Sequence, residues 1–217
     1  MVGAVIFDMD GVIVDTEETY LQWLTKYLEE QGYPVPREKL CEIIGASVKR
    51  SQAFLDKMCS GNGEKLWNGY IEACDTYPFS YRELVISGIP ELLQYLKREN
   101  VPVALASSST MADIREMLKV AGLEEYFQVV TSGEMYKESK PNPEIYLHTA
   151  QLLGQDPTDC IVIEDSDFGI RAGKAAGAFV IAREEKRFGF SQQEADIIAR
   201  DINQIRKIIE EMRRGER

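Results

Sequence analysis

Histidine is almost missing from this chain, with only His148 among 217 residues, and the four cysteines, Cys41, Cys59, Cys74 and Cys160, show no CxxC spacing. Neither a zinc site nor a disulfide framework is suggested, and the cysteines read as reduced, buried thiols. Basic residues are also in deficit: 25 Lys and Arg stand against 36 Asp and Glu, a formal net charge of -11. That balance argues against a nucleic-acid partner, since the one basic cluster, Arg213 and Arg214, sits beside acidic neighbours. No apolar run is long enough to span a bilayer, and the N-terminus reads as a short strand rather than a secretory signal. The expected location is the cytoplasm, with no membrane partner.

What is present is a globular mixture, 44% hydrophobic and 28% charged, long enough for one core carrying a smaller appended domain. A monomer is the default expectation. Continuous apolar runs at Val2 to Phe7, Val101 to Ala106, Val129 to Ser132, Cys160 to Ile163 and Phe179 to Ala182 predict strands buried on both faces, with Asp196 to Ala199 a weaker sixth. Between them, apolar residues at three- and four-residue spacing predict helices over Ile89 to Glu99, Met111 to Ala121, Pro143 to Leu153 and Gly169 to Ala176. A last helix places Ile205, Ile208, Ile209 and Met212 on one face. This alternation predicts a doubly wound, Rossmann-like α/β fold with a mainly parallel sheet and a site beyond the carboxyl ends of its strands.

The stretch from Thr16 to Arg82 breaks the alternation: it holds helical patterns, including the stripe Leu21, Leu24 and Leu28, and no buried strand. It reads as an inserted α-helical domain over residues 16–82, leaving 1–15 and 83–217 as the α/β core. Trp23 and Tyr27 beside the stripe read as core, and Gly61-Asn62-Gly63 as a turn between helices.

Chemistry-bearing residues fall at the strand ends. Asp8 and Asp10, followed by Gly11, can divide labour, one carboxylate attacking phosphorus and the other moving protons, although an isolated pair of this kind also suits an acidic turn or a plain metal site. A carboxylate attacking a phosphate needs nearby cations. Glu164 and Asp165 could join Asp8 around a hard, oxygen-liking ion such as Mg²⁺, or simply form an acidic loop before a helix. Lys140 precedes Pro141-Asn142-Pro143, which can stiffen its placement. In the run Ser107-Ser108-Ser109-Thr110, hydroxyls and amides can hold phosphate oxygens or serve as helix caps.

Taken together and in this order, Asp8-Met9-Asp10-Gly11-Val12 with Asp15-Thr16, then Ser107, Lys140-Pro141, and Glu164-Asp165-Ser166 with Gly169-Ile170 are similar to the motif set of the haloacid dehalogenase superfamily. The match spans nearly the whole chain. It looks like the branch holding β-phosphoglucomutase and small sugar-phosphate phosphatases, which carry a helical cap after the first motif. The resemblance implies that Asp8 becomes an aspartyl-phosphate, that Asp10 is acid and base, and that Ser107 and Lys140 bind the transferring phosphoryl group. It further implies Mg²⁺ held by Asp8, the Asp10 backbone carbonyl, Asp165 and, as in the mutase branch, Glu164. Dehalogenation is disfavoured, because dehalogenases proper lack a carboxylate at the position of Asp10.

Departures from the mutase pattern lie in the cap, where Thr16, Tyr20, Gly45 and Lys49 are the candidate substrate-facing residues. Tyr20 stands where a mutase histidine is expected, and His148 reads as a helix-surface residue. In Ile44 to Arg50, which resembles the mutase substrate loop, Val48 stands where an arginine is expected; Lys49 and Arg50 are the neighbouring cations. These differences rank a phosphatase acting on a small phosphorylated metabolite above a mutase. A Schiff-base phosphonoacetaldehyde hydrolase ranks lower for want of an evident cap lysine, and a non-catalytic metabolite-binding module lower still, because nucleophile, acid and ligand positions are all intact. Hinges are expected near Asp15-Thr16 and between Arg82 and Gly88.

Overall fold

A computed structural model describes residues 2–74, 76 and 80–216. Residues 1 and 217 of the expected core, and 75 and 77–79 of the expected insertion, lie outside the described residues.

Six strands form one parallel sheet in the order β3-β2-β1-β4-β5-β6: β1 (Ala4–Phe7), β2 (Val103–Ser107), β3 (Val129–Ser132), β4 (Cys160–Glu164), β5 (Phe179–Arg183) and β6 (Ile197–Ala199). The weaker sixth strand is thus present, paired with β5. Several boundaries move by one or two residues from the sequence reading, β1 for instance beginning at Ala4 rather than Val2. β2 begins at Val103 because Pro102 has no N–H to give a ladder, and its end shifts to include Ser107. The helix after β4 begins at Asp167 rather than Gly169, since Ser166 caps it by accepting from the Gly169 amide at 3.1 Å.

Side chains alternate across the strands, so both faces are covered. Val5 and Phe7 join one apolar cluster with α6 (Ile89–Arg98), α7 (Met111–Ala121) and the last helix, Ile202–Arg213. Ala4 and Ile6 join another with α8 (Glu144–Leu152) and α9 (Asp167–Ala175). Successive crossovers run one way from β1 through β2 to β3 and the other way from β4 through β5 to β6. The order therefore reverses between β1 and β4, where the ends of adjacent strands leave a crevice.

The chain leaves the sheet after β1 to build α1 (Glu17–Glu30), α2 (Arg37–Leu40), α3 (Val48–Met58) and α4 (Gly63–Cys74), and returns through α5 (Tyr81–Leu84). Leu21, Leu24 and Leu28 are buried there with Leu40, Leu55 and Leu66 in a third cluster, which forms the helical cap. The outgoing and returning segments are tied together: the Asp15 amide donates to Leu84 O at 2.8 Å and the Ile86 amide to Ile13 O at 2.9 Å. Phe188, from the loop after β5, is buried in the cap cluster, and neighbouring Arg187 pairs with Asp15 at 2.7 Å.

All four cysteines are free, but only Cys59 and Cys160 are buried. Cys41 follows a short helical turn and Cys74 ends α4 at the cleft margin, so both are partly exposed, contrary to the sequence reading. His148 is half-buried rather than superficial, with Nδ1 2.9 Å from the Tyr136 hydroxyl. Among the described residues no helix is long and apolar enough to cross a membrane.

Ile181, fully buried in β5, supplies a direct check on the core. Ile181→Ala should lower unfolding free energy in urea by about 2–5 kcal/mol, and a smaller loss would mean that the sheet closes around the gap.

Candidate active site

The crevice between β1 and β4 collects the polar ends of four strands. Asp8 directly follows β1, and its amide continues the ladder by donating to Ile163 O at 3.0 Å. Lys140 reaches the same point from the segment before α8. Its Nζ donates to Asp8 Oδ1 at 2.6 Å, to Glu164 Oε1 at 2.7 Å and to the Ala106 carbonyl at 3.1 Å. Burial opposes charge on Lys140, yet Asp8 and Glu164 hold its pKa well above the ordinary lysine value, so it is an ammonium here.

Glu164 is held from every side. Its Oε1 also accepts from the Tyr146 hydroxyl at 2.7 Å, and its Oε2 accepts from the Asp165 amide, the Ser166 amide and Ser166 Oγ. Gly169 is necessary for this arrangement, since a Cβ there would sit 1.7 Å from Glu164 Oε1.

Asp10 sits on the opposite side of Asp8. Its Oδ1 accepts from Thr16 Oγ1 and its Oδ2 from Ser109 Oγ at 2.7 Å. Burial raises its pKa while these two hydrogen bonds lower it, which leaves a carboxyl with a wider protonated range than an exposed aspartate.

Asp165 completes the group. Its Oδ2 is buried with no hydrogen-bond partner, and one ligand oxygen each from Asp8, Glu164 and Asp165 lies within 4.8 Å of the others. Burial first, then the carboxylates of Glu164, Glu17 and Asp8, push the Asp165 pKa well up; burial also raises that of Asp8, against the pull of Lys140. Of these three buried carboxyls Lys140 pairs with Asp8 and Glu164, and an oxygen of Asp165 is orphaned, a donor set that fits a hard divalent cation. Gly11, with φ of 75°, lets the backbone pass close: a Cβ would fall 2.0 Å from Asp165 Oδ2. Arg183 Nε donates to the Gly11 carbonyl.

The cap closes over this floor and leaves a cavity of about 330 Å³. Ser107 and Ser108 line it; Ser107 is buried with Oγ accepting from the Ser109 amide at 3.0 Å, and Ser108 is exposed. From the cap candidates, Tyr20 and Gly45 line the cavity, and Thr16 is buried beneath it on Asp10. Lys49 does not reach it: it is exposed on α3, while Val48 lines the cleft and Arg50 stacks 4.4 Å above the Phe168 ring. Several contributors were not singled out from sequence, namely Ser109 on Asp10, Tyr146 on Glu164, and Glu17 and Trp67 in the cleft lining. Ser109 lay within the serine run, whereas Tyr146 and Trp67 are ordinary aromatics on helices until the fold aims them.

A doubly wound sheet with an inserted helical cap and an aspartate pair, a lysine and a carboxylate cluster at its switch point defines a class of capped hydrolases. The chain belongs to the haloacid dehalogenase-like hydrolases, whose family profile matches residues 5–183. Accordingly, it is an enzyme. It is 33% identical over 176 residues to a phosphorylated carbohydrates phosphatase of Thermotoga maritima, covering 80% of this chain and 81% of that protein. It is also 33% identical over 190 residues to the β-phosphoglucomutase of Bacillus subtilis, covering 82% and 81%. The crystal structure of β-phosphoglucomutase from Clostridium difficile superposes with a TM-score of 0.79 at 26% identity, covering 100% of this chain and 98% of that one.

Alanine is favoured over glycine within a helix by about 1 kcal/mol, so propensity alone would make Gly169→Ala neutral or stabilising. The contact with Glu164 dictates the opposite for function: the variant should remain folded by circular dichroism and lose at least about tenfold in kcat as the carboxylate is driven off Lys140. Unchanged turnover would show that the placement of Glu164 is immaterial.

Proposed function

We propose that this protein hydrolyses a small organic phosphate monoester, a sugar phosphate in the first instance, through a covalent aspartyl-phosphate on Asp8, with Mg²⁺ as its metal. The observation that carries the reading is Lys140 Nζ 2.6 Å from Asp8 Oδ1 at the floor of the cleft. The ammonium holds one carboxylate oxygen and neutralises charge where a phosphoryl group would arrive, leaving the other oxygen to attack phosphorus.

In the first step the Asp8 oxygen forms a bond to phosphorus, the ester P–O bond breaks, and Asp10 gives its proton to the departing alkoxide. In the second, water attacks phosphorus, Asp10 takes a proton from it, and the bond to Asp8 breaks to release inorganic phosphate. Thr16 and Ser109 fix Asp10 for both transfers, and Ser107 and Ser108 are placed to hold phosphoryl oxygens. Asp8, Asp165 and the Asp10 carbonyl would hold the Mg²⁺, with Glu164 beside them. When bound, the ion neutralises charge on the phosphoryl oxygens and on the carboxylates. Four free cysteines suit a reducing cytoplasm.

The mutase reading draws on the β-phosphoglucomutase relatives. It is weaker because the cap offers Tyr20 and Val48 at the positions singled out from the sequence, and Lys49 points away from the cleft. A Schiff-base hydrolase is disfavoured because no cap lysine lines the cleft among the described residues.

Asp8→Asn should remove phosphate release from p-nitrophenyl phosphate by at least about 10⁴-fold while the chain stays folded; wild-type turnover would refute the nucleophile. Treatment with EDTA should stop release and added Mg²⁺ should restore it, whereas full activity in metal-free protein would remove the ion from the mechanism. Assay of β-glucose 1-phosphate should give free phosphate without glucose 6-phosphate, and isomerisation without net release would establish the mutase.

A further inference from the structure

The two halves of the cleft differ in charge. On the floor, the single ammonium of Lys140 is already shared between Asp8 and Glu164. Among the described residues that line the rest of the cleft there is no other lysine or arginine and no histidine. The roof is made of apolar side chains, Leu21, Leu40, Ile44 and Ile71 among them, with the acids Glu17 and Asp113 at its sides. The two cap cations that follow Val48 in sequence are turned elsewhere, Lys49 to solvent and Arg50 onto Phe168. A second phosphate or a carboxylate on the leaving group would therefore be desolvated against apolar atoms and carboxylates, with no cation to compensate.

Trp67 and Tyr70 line the cleft as well and extend its apolar surface. A cavity of about 330 Å³ is at the small end for a ligand site, sufficient for a phosphate with an alcohol of sugar size.

We infer that the leaving group is an uncharged alcohol seated against this apolar roof, and that esters bearing a second anion are rejected by it. This rests on the hydrolase reading above and narrows it, since a bisphosphate intermediate is disfavoured for the same reason.

The test compares sorbitol 6-phosphate with 6-phosphogluconate, which differ at the far carbon by an alcohol against a carboxylate. The neutral ester should have the higher kcat/KM by roughly tenfold or more. Ile71 shares a helix face with Trp67 and is half-exposed, so Ile71→Lys is accommodated without disturbing the core and should narrow that ratio several-fold. Equal or better turnover of the acid, or an unaltered ratio in Ile71→Lys, would overturn the inference. Absence of phosphate release from every ester, p-nitrophenyl phosphate included, would overturn the hydrolase reading and this inference with it; release without preference overturns the inference alone.

Discussion

One buried ammonium organises the catalytic end of this molecule. Lys140 Nζ lies between Asp8, at the end of β1, and Glu164, at the end of β4, and its side chain is only 4% exposed. Removing one partner from such a pair leaves an uncompensated buried charge, which typically costs about 3–5 kcal/mol. The packing around it follows from that constraint. Tyr146 and Ser166 complete the hydrogen bonds of Glu164, Gly169 keeps a side chain out of its way, and Ala106 offers its carbonyl to the remaining N–H. The strand order places β1 beside β4, so the pair spans the topological switch point and the cleft opens above it.

Charge also sets what the floor and the roof can each do. The floor gathers the carboxyls of Asp8, Glu164 and Asp165, pairs the first two with Lys140 and leaves Asp165 Oδ2 unsatisfied, an arrangement suited to a divalent cation and to phosphoryl chemistry. The roof is apolar, and it is seated on the core from more than one side: Phe188 inserts into the cap cluster, Arg187 grips Asp15, and Arg50 covers Phe168. In the proposed reaction, closure of this kind would exclude bulk water while admitting the one water that Asp10 activates. On the proposed function, chemistry resides in the strand ends and selectivity in the helices above them.

Much of the core was legible because its strands are buried on both faces and read as unbroken apolar runs, and because helices between them keep a regular stripe. The boundaries that moved did so for local reasons, Pro102 delaying β2 and Ser166 capping α9 early. Asp8, Asp10, Lys140 and Asp165 stood out because acids and a lysine at strand ends have few structural uses. The contributions of Tyr146 and Trp67 were not legible, since an aromatic on an amphipathic helix has the same pattern whether it fills the core or faces a cleft. Lys49 failed to reach the cleft for a related reason: one residue along a helix is a rotation of about 100°, enough to exchange Val48 at the cleft for a lysine in solvent.

The central claim, that Asp8 carries the phosphoryl group during turnover, is tested most directly by acid-quenching the enzyme while it consumes p-nitrophenyl phosphate with Mg²⁺ and mapping phosphorylation by peptide mass spectrometry. The account predicts a phosphoryl group on the peptide containing Asp8, fragment ions placing it on Asp8 itself, and its loss once substrate is exhausted. Turnover with Asp8 unmodified throughout, or a phosphoryl group found on Asp10 instead, would contradict it.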